Sequence, residues 1–402
     1  MFTRRSFARV GAAALCIFLA PTAPAQKHYD QGASDAEVVI GNTMPYSGPA
    51  SGLGAIGKTM SAYFRKINDD GGINGRKIRF ISLDDAYSPP KTVEMTRQLI
   101  ENEGVLFMGG SLGTATNISV QKYLNDRKIP QLAIISGASR WNDPTHFPWS
   151  MPVMLNYSTE AWIYGGHILR TKPDAKIAVL YQNDDFGKDC LEGLKEGLGE
   201  KAKKMIVAEV SYETSDPTID SQIMQLQASG ADVFVGFSLP KFTAMAIRKV
   251  YDIGWRPVQY VSTSSISIAT VMTAAGLEKS KGVLSAATIK EPTDPQWQND
   301  RAMNEWRDFM KKYNADVSPN DIQGVAGYAI AQVIAQVITQ CGDNLTRENV
   351  MRQAGNLKLE AGVGLPGIIF STSPTNYAPL HAAQLMRFDG TQWVRFGDVI
   401  SR

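Results

Sequence analysis

Apolar runs and amphipathic stretches alternate along the first part of the chain, beginning at Val38. The run "EVVIGNTMP" predicts a short buried strand and a loop, after which Ile56, Met60, Phe64 and Ile67 recur at the spacing of one helix face. Further strands are predicted at "RKIRFISLDD", "GVLFMGG" and "IPQLAIIS", with helical stretches between them. Strands that alternate with helices in this way predict a parallel sheet covered on both faces.

The same alternation starts again in the middle of the chain. The stretches "KIAVLYQNDD", "KKMIVAEVSY", "ADVFVGFS" and "PVQYVSTS" predict strands, and the helices between them are predicted near 187–200, 217–229 and 241–253. We therefore predict two similar α/β units in tandem, over 37–155 and 157–288.

The last part of the chain departs from this alternation. Two helices, near 297–313 and 321–340, follow each other without a strand between them. The tail predicts two strands around an Asp389-Gly390 turn. Because this tail fits neither unit, we expect the chain to cross between the units more than once.

The first 25 residues have the pattern of an export signal. A basic segment, "TRRSFAR", precedes the apolar run "VGAAALCIFLA", and "APAQ" offers a cleavage site after Ala25. The run is too short for a membrane span, so the mature protein is expected to be soluble and exported. The paired arginines before Ser6 and Phe7 resemble a twin-arginine signal, although basic signals of the general secretory route also contain such pairs.

Charge and cysteine content narrow the possible partners and the redox chemistry. The 41 basic and 39 acidic residues nearly balance and form no basic run, so no nucleic-acid partner is expected. Cys190 and Cys341 remain after removal of the signal segment. In an oxidising compartment they could form a disulfide or remain two separate buried thiols, and the sequence leaves both possibilities open.

Motifs for catalysis, metals and cofactors are missing from the sequence. The four histidines have no metal-binding context, and neither a G-x-S-x-G elbow nor a P-loop occurs. The loop "GNTMPYSGPASGLG" follows a strand but lacks the compact glycine spacing of a dinucleotide loop. We therefore predict no enzyme activity, no metal and no cofactor.

Small hydroxyl residues, glycines and aromatics are concentrated in the loops that follow the predicted strands. These loops include "PYSGPASGLG", "GGSLGTATN", "ISGASRW", "NDDFG", "FSLPKF" and "STSSIS". Ligands of open α/β sheets bind beyond the carboxyl ends of the strands, and hydroxyls with helix N-termini can hold an anion. The alternative is that these residues only cap helices and close turns.

The chain resembles a type I solute-binding protein of an ABC transporter, of the branched-chain amino acid subfamily. The resemblance covers nearly the whole mature chain and rests on "IGNTMPYSGPASGLG", "INDDGGINGRKIRF", "NDDFGKD", "ADVFVGFS" and "GYAIAQVI". The turn "GGINGR" is the most specific of these marks, and we interpret it as a structural turn between the first helix and the second strand.

The resemblance implies an α/β fold with two Rossmann-like parallel-sheet lobes joined by a three-crossing hinge. One lobe would contain 37–155 and about 290–342, and the other 157–288 and about 343–402 with hinge crossings. It also implies a periplasmic, monomeric protein whose partners are an ABC permease and its ATPase subunits.

The resemblance further implies a set of ligand-binding positions in the cleft. A ligand carboxylate would be held by Thr114, Ala138 and Ser139, in loops that also include Ser136. The wall and the second-lobe side of the site would use the following residues: Tyr46, Leu53, Phe186, Ser238, Leu239 and Ser264.

Two departures from amino acid binders bear on the ligand. The loop from Ser262 to Ser267 contains no acid to pair with an α-ammonium group, and Phe186 has no phenol oxygen. We therefore predict a small carboxylate with an apolar, preferably aromatic, body. The alternatives are an amino acid, with an acid supplied by Asp184, Asp185 or Glu291; a sensor subunit that presents its ligand to a receptor; and an α/β enzyme.

Overall fold

The computed structural model describes residues 27–402, so the predicted signal segment 1–25 lies outside the described residues. The strands of the described chain are β1 (His28–Tyr29), β2 (Glu37–Met44), β3 (Lys77–Asp84), β4 (Phe107–Gly109), β5 (Gln131–Ile134), β6 (Ser150–Pro152), β7 (Ile177–Gln182), β8 (Ile206–Tyr212), β9 (Val233–Phe237), β10 (Val258–Val261), β11 (Leu284–Ala287), β12 (Asn344–Leu345), β13 (Lys358–Leu359), β14 (Phe370–Ser371), β15 (Ala382–Phe388) and β16 (Trp393–Ser401).

Helices alternate with these strands and cover the sheets. They are α1 (Ala55–Asp69), α2 (Pro89–Arg97), α3 (Thr114–Asp126), α4 (Tyr157–Thr171), α5 (Asp185–Leu198), α6 (Ala202–Met205), α7 (Asp220–Ala228), α8 (Pro240–Asp252), α9 (Thr273–Ala275), α10 (Leu277–Ser280), α11 (Arg301–Tyr313), α12 (Ile322–Cys341) and α13 (Arg347–Ala354).

The first lobe is built on a five-stranded parallel sheet in the order β3-β2-β4-β5-β6. Strand β2 lies inside this sheet and is buried from Val38 to Met44, which explains its nearly continuous apolar sequence. Parallel strands place all their carboxyl ends at one edge, so the loops predicted to bind ligand lie together there.

The second lobe is built on a seven-stranded sheet in the order β16-β15-β11-β10-β9-β7-β8. Its strands from β7 to β11 are parallel, whereas β15 and β16 form an antiparallel hairpin in which Phe388 pairs with Trp393. The prediction of two tail strands around Asp389 and Gly390 is therefore confirmed. The prediction of two α/β lobes with parallel sheets is confirmed as well.

Helix α12 returns the chain to the first lobe, where it packs against α1. Among the described residues it is the helix that is long and apolar enough to span a membrane, but most of it is buried inside the protein. Its apolar sequence therefore reflects a core position between other elements.

Residues 343–380 continue in contact with the first lobe before the chain returns to the second. Strand β12 pairs with β1, and the Arg347 guanidinium donates to the carbonyls of Val105 and Leu106 over 3.0 and 2.9 Å. The sequence assigned 343–402 to the second lobe and the hinge crossings; in the structure the second-lobe sheet is rejoined at Ala382. The contacts of Arg347 join distant parts of the chain, so no local pattern reveals them.

The "GGINGR" turn ties these segments together. At Gly72 the φ angle is +88°, and a Cβ atom would lie 2.1 Å from the Arg76 carbonyl oxygen, so only glycine fits. Arg76 is buried and its Nη2 lies 2.5 Å from Asp343 Oδ1. The turn thus connects the return from α1 into β3 with the segment that follows α12.

The two cysteines of the described chain are free thiols in different lobes. Cys190 is buried on α5, and Cys341 is buried at the end of α12. The sequence left open either a disulfide or two separate thiols. The structure shows two separate thiols.

Candidate ligand-binding site

The carboxyl ends of the two sheets face a shared cavity of about 100 Å³ between the lobes. Its wall is mainly aliphatic and comes from both lobes and from the segments that join them. The lining residues that the following argument uses are Leu53, Tyr87, Tyr157, Phe186, Thr263 and Gln323. Among the described residues that line this cavity, none carries a charged side chain.

Two phenols lie in the wall, one from each lobe. Tyr87 belongs to the loop after β3, and Tyr157 is the first residue of α4, directly after the chain has crossed from the first lobe. The Tyr157 ring packs on Phe186 with 4.7 Å between ring centroids. Burial raises the pKa of Tyr157 to about 12 and the pKa of Tyr87 above its ordinary value, so both hydroxyls keep their protons and can donate.

The position of Tyr87 depends on its local backbone. Tyr87 has a left-handed φ of +58°, and its N–H donates to the buried carboxylate of Asp85 over 3.0 Å. At Gly113 the φ angle is +109°, and a Cβ atom would lie 2.7 Å from the Tyr87 ring. A side chain at position 113 would therefore displace the phenol from the cavity wall.

Behind Tyr157 lies a group of hydroxyls that belongs to the first lobe. Thr114 Oγ1 lies 2.8 Å from Ser136 Oγ and 3.5 Å from the Tyr157 hydroxyl. The indole N–H of Trp141 also donates to Ser136 Oγ over 2.8 Å. Neither Thr114 nor Ser136 belongs to the cavity lining, so Tyr157 stands between the cavity and these two predicted anchors.

A buried acid lies behind the loop that follows β10. Glu160, on α4, is fully buried and accepts hydrogen bonds from the Thr263 N–H over 2.9 Å and the Thr263 hydroxyl over 2.7 Å. Burial raises the pKa of Glu160, and these hydrogen bonds partly oppose that rise. The loop without an acid in its own sequence therefore has a carboxyl group in direct contact with it.

The structure brings four of the ten predicted site residues to the cavity wall: Leu53, Phe186, Leu239 and Ser264. Besides Thr114 and Ser136, four others lie outside that wall. Tyr46 OH is 2.6 Å from Ser82 Oγ, Ser238 Oγ is 2.7 Å from Thr243 Oγ1, and the Ala138 N–H donates to Ser136 Oγ over 3.3 Å. Their polar groups therefore have partners within the protein.

Ser139, the remaining predicted anchor, takes part in a contact between the lobes. Its N–H donates to the carboxylate of Asp189, and the neighbouring Arg140 lies 2.9 Å from Asp185 in an ion pair. Asp185 and Asp189 both belong to α5 of the second lobe. The turn 139–141 therefore contacts the opposite lobe directly.

The other acids considered as partners of an ammonium group also have structural contacts. Asp184 caps α5 by accepting from the Phe186 N–H over 3.0 Å, and Glu291 accepts from Thr293 Oγ1 over 3.0 Å. Neither these two nor Asp185 belongs to the cavity lining. The acid that sequence reasoning missed is Glu160, because its helix lies far along the chain from the loop that it contacts.

Sequence reasoning also missed Tyr87, Tyr157 and Thr263. An aromatic at the start of the helix after the first unit, in "LNYS", was a usable signal for Tyr157. For Tyr87 the signal was an aromatic in the loop after a strand, in "DDAYS". No signal in the sequence shows which of these rings reaches the space between the lobes.

Two α/β lobes, three chain crossings and an enclosed cavity between the lobes define a two-lobed solute-binding protein. The chain belongs to the periplasmic binding protein family, whose family model matches residues 37–392. Members of this family are substrate-binding proteins of transport systems that work in the periplasm with ABC permease and ATPase components.

Individual relatives support this assignment. The chain is 25% identical over 335 residues to Leu/Ile/Val-binding protein homolog 1 of Brucella suis biovar 1, which covers 82% of this chain and 86% of the relative. A branched chain amino acid ABC transporter protein from Thermus thermophilus, solved with bound valine, superposes with a TM-score of 0.80 at 14% identity, covering 91% and 96% of the two chains.

A third relative was solved with a different ligand. The solute binding protein of an ABC transporter from Rhodopseudomonas palustris BisB5, in complex with 3,4-dihydroxy benzoic acid, superposes with a TM-score of 0.76 at 17% identity, covering 92% of this chain and 98% of that one. The resemblance to a type I periplasmic binding protein of the branched-chain amino acid subfamily is thus confirmed.

Proposed function

We propose that the protein binds a small apolar organic acid, with an aromatic body favoured, in the cavity between its lobes and delivers it to an ABC importer. The observation that carries this proposal is the uncharged and mainly aliphatic lining of the cavity. Such a wall suits an apolar body, and a few polar groups suffice to orient the ligand.

The carboxylate end of the ligand is assigned to the two phenols. Tyr87 and Tyr157 keep their protons, so each can donate to an anion without a formal positive charge in the wall. Thr114 and Ser136 then support the site from behind, because they lie in the hydroxyl group next to Tyr157. In this proposal Thr114 and Ser136 act through Tyr157, which sequence reasoning did not identify as a site residue.

An α-ammonium group finds no ionic partner in this lining. A buried and unpaired ammonium costs several kcal/mol at least, whereas a micromolar affinity corresponds to only about 8 kcal/mol. Glu160 contacts the lining residue Thr263, and its oxygens already accept hydrogen bonds from the Thr263 N–H and hydroxyl. These contacts favour a ligand without an amine at this end.

The second candidate is an amino acid ligand. It is favoured by the relatives, since one is named a Leu/Ile/Val-binding protein homolog and another was solved with valine. In this case the charge of Glu160 would have to stabilise the ammonium group from behind Thr263, which lies between Glu160 and the cavity.

Transport is the proposed role, with the closed, liganded form of a monomer docking on the permease and its ATPase subunits. Export by either secretory route places the protein in the periplasm, as its family membership indicates. An operon that contains two permease and two ATPase genes would support transport over a sensing role.

Calorimetry separates the two candidate ligands. Benzoate and 3-phenylpropanoate should be compared with leucine and phenylalanine under the same conditions. The proposal expects binding of at least one acid that lacks the amine. Tight binding of either amino acid, with no binding of any acid without the amine, overturns it.

A further inference from the structure

At the second-lobe end of the cavity, hydroxyl groups donate their hydrogen bonds to the protein and not into the cavity. Thr263 lines the cavity, and its hydroxyl donates to Glu160 Oε2 over 2.7 Å. The other oxygen, Glu160 Oε1, accepts from the Thr263 N–H over 2.9 Å and from the Tyr164 hydroxyl over 3.1 Å. The ionised form of Glu160 only accepts hydrogen bonds, and in that form it directs the Thr263 hydroxyl proton toward Oε2 and away from the cavity.

The neighbouring lining residues repeat this polarity. Ser264 Oγ donates to Ser262 Oγ over 3.2 Å, so its proton is also engaged within the protein. The amide nitrogen of Gln323 donates to the Ser264 carbonyl over 3.4 Å, which leaves the amide oxygen of Gln323 for other partners. The hydroxyl protons of Thr263 and Ser264 are therefore both directed to partners within the protein.

A hydroxyl whose proton is committed in this way offers only its lone pairs to a further partner. The cavity wall at Thr263, Ser264 and Gln323 is consequently rich in acceptors, whereas the two phenols of Tyr87 and Tyr157 are donors. The two groups of polar residues thus differ in the kind of ligand group that they can bind.

We propose that Thr263, oriented by Glu160, accepts a hydrogen bond from a hydroxyl group on the ligand, so that the preferred ligand is a hydroxylated apolar acid. This inference rests on the proposed function, since it adds a second polar group to the same organic acid. In this assignment Thr263 contacts the ligand, and Glu160 is a positioning residue that acts through it.

The test compares three ligands of similar shape by calorimetry: benzoate, a hydroxybenzoate and the corresponding methoxybenzoate, with the substituent in the 3- and 4-positions in turn. The hydroxyl can donate, whereas the methoxy oxygen can only accept. We expect the wild-type protein to bind one hydroxybenzoate about five- to tenfold more tightly than its methoxy counterpart.

Two variants locate the origin of this preference. In Thr263→Val the side chain keeps its shape but loses its oxygen, so the preference for the hydroxyl should disappear while benzoate still binds. In Thr263→Ser the oxygen is retained, so the preference should persist. Thermal unfolding of both variants checks that the loop between the lobes remains folded.

The Glu160→Gln variant tests the role of the buried carboxylate. A carboxamide can donate to the Thr263 oxygen, which frees the Thr263 proton for the ligand. We expect the preference to shift toward the methoxy compound by about tenfold relative to wild type. A preference that is the same in Glu160→Gln and wild type overturns the assigned role of Glu160.

The outcomes also separate this inference from the proposed function. If benzoates bind but the wild type does not distinguish hydroxyl from methoxy, or if Thr263→Val retains the preference, the inference is wrong and the organic acid proposal stands. If none of these acids binds and amino acids do, the proposed function and this inference are both wrong.

Discussion

At the scale of single residues, the proposed site depends on Tyr157 to present a polar group to the ligand. Its hydroxyl lies 3.5 Å from Thr114 Oγ1, and its ring packs on Phe186. In the proposed function it therefore takes the role that the sequence assigned to the hydroxyl of Thr114. The hydroxyl residues Thr114 and Ser136 could be predicted from the loop sequences. The position of the Tyr157 ring beside them could not.

We expect Tyr157→Phe to weaken the binding of benzoate-type acids by roughly ten- to a hundredfold, because one hydrogen bond to a charged group contributes about 1.5–3 kcal/mol. The ring and its contact with Phe186 are retained, so thermal unfolding should change little. Tyr181→Phe is the matched control, since Tyr181 lies on β7 and outside the cavity lining. Equal affinities in the two variants, measured by calorimetry, contradict the role of Tyr157 as a donor.

Glu291 gives the unfolding free energy a dependence on pH. Burial raises its pKa from 4.5 to about 8, so the folded protein favours the neutral acid. The contribution is fully present below about pH 4.5 and is lost as the pH rises through about 8, at about 1.4 kcal/mol for each pKa unit.

We expect Glu291→Gln to lose less stability than the wild type between pH 5 and pH 8, because the amide cannot ionise. Urea unfolding at several pH values measures this difference. Glu348→Gln is the control, because Glu348 is exposed. This variant should show the same pH dependence of the unfolding free energy as the wild type. Parallel curves for wild type and Glu291→Gln contradict the proposed burial of a neutral acid.

At the scale of elements, periodicity predicted the fold well and the contacts between distant elements poorly. Helix α12 and the β15–β16 hairpin were recognisable because a long apolar helix and a turn at Asp389-Gly390 are local patterns. The sequence did not reveal where residues 343–380 lie. Their location depends on contacts of Arg347 and Arg76 with residues far along the chain.

Helix α5 links the lobes through its first two turns. The N–H of Ser139 donates to Asp189, and Arg140 pairs with Asp185. These contacts cross the cleft beside the cavity, so they belong to the arrangement in which the lobes are close together. In the proposed closure of the lobes, these contacts add to the free energy of closure whichever ligand is bound.

We expect Asp189→Asn to weaken the binding of every ligand by about three- to tenfold, since it replaces a charge-assisted hydrogen bond with a neutral one. Faster ligand dissociation in stopped-flow measurements should account for most of the change. Asp174→Asn is the control, because Asp174 is exposed in the same lobe. Tighter binding of acids alone in Asp189→Asn would instead show that Asp189 competes with the ligand carboxylate for the Ser139 N–H.

At the scale of the whole molecule, two lobes with separate sheets enclose one uncharged cavity. The chain crosses between them before α4, after β11 and before β15, and these segments can serve as hinges. The lobes follow from sequence periodicity, whereas the choice of ligand depends on which few side chains of the two lobes meet in the cavity. This difference explains why the family could be predicted with more detail than the ligand.

The central claim is that the lobes close around an apolar organic acid. Small-angle scattering of the mature protein, titrated in parallel with benzoate-type acids and with leucine, tests it directly. The account predicts that the radius of gyration decreases as an acid saturates the protein and stays unchanged with leucine at the same concentration. A decrease with leucine, together with an unchanged radius at every acid concentration, would contradict it.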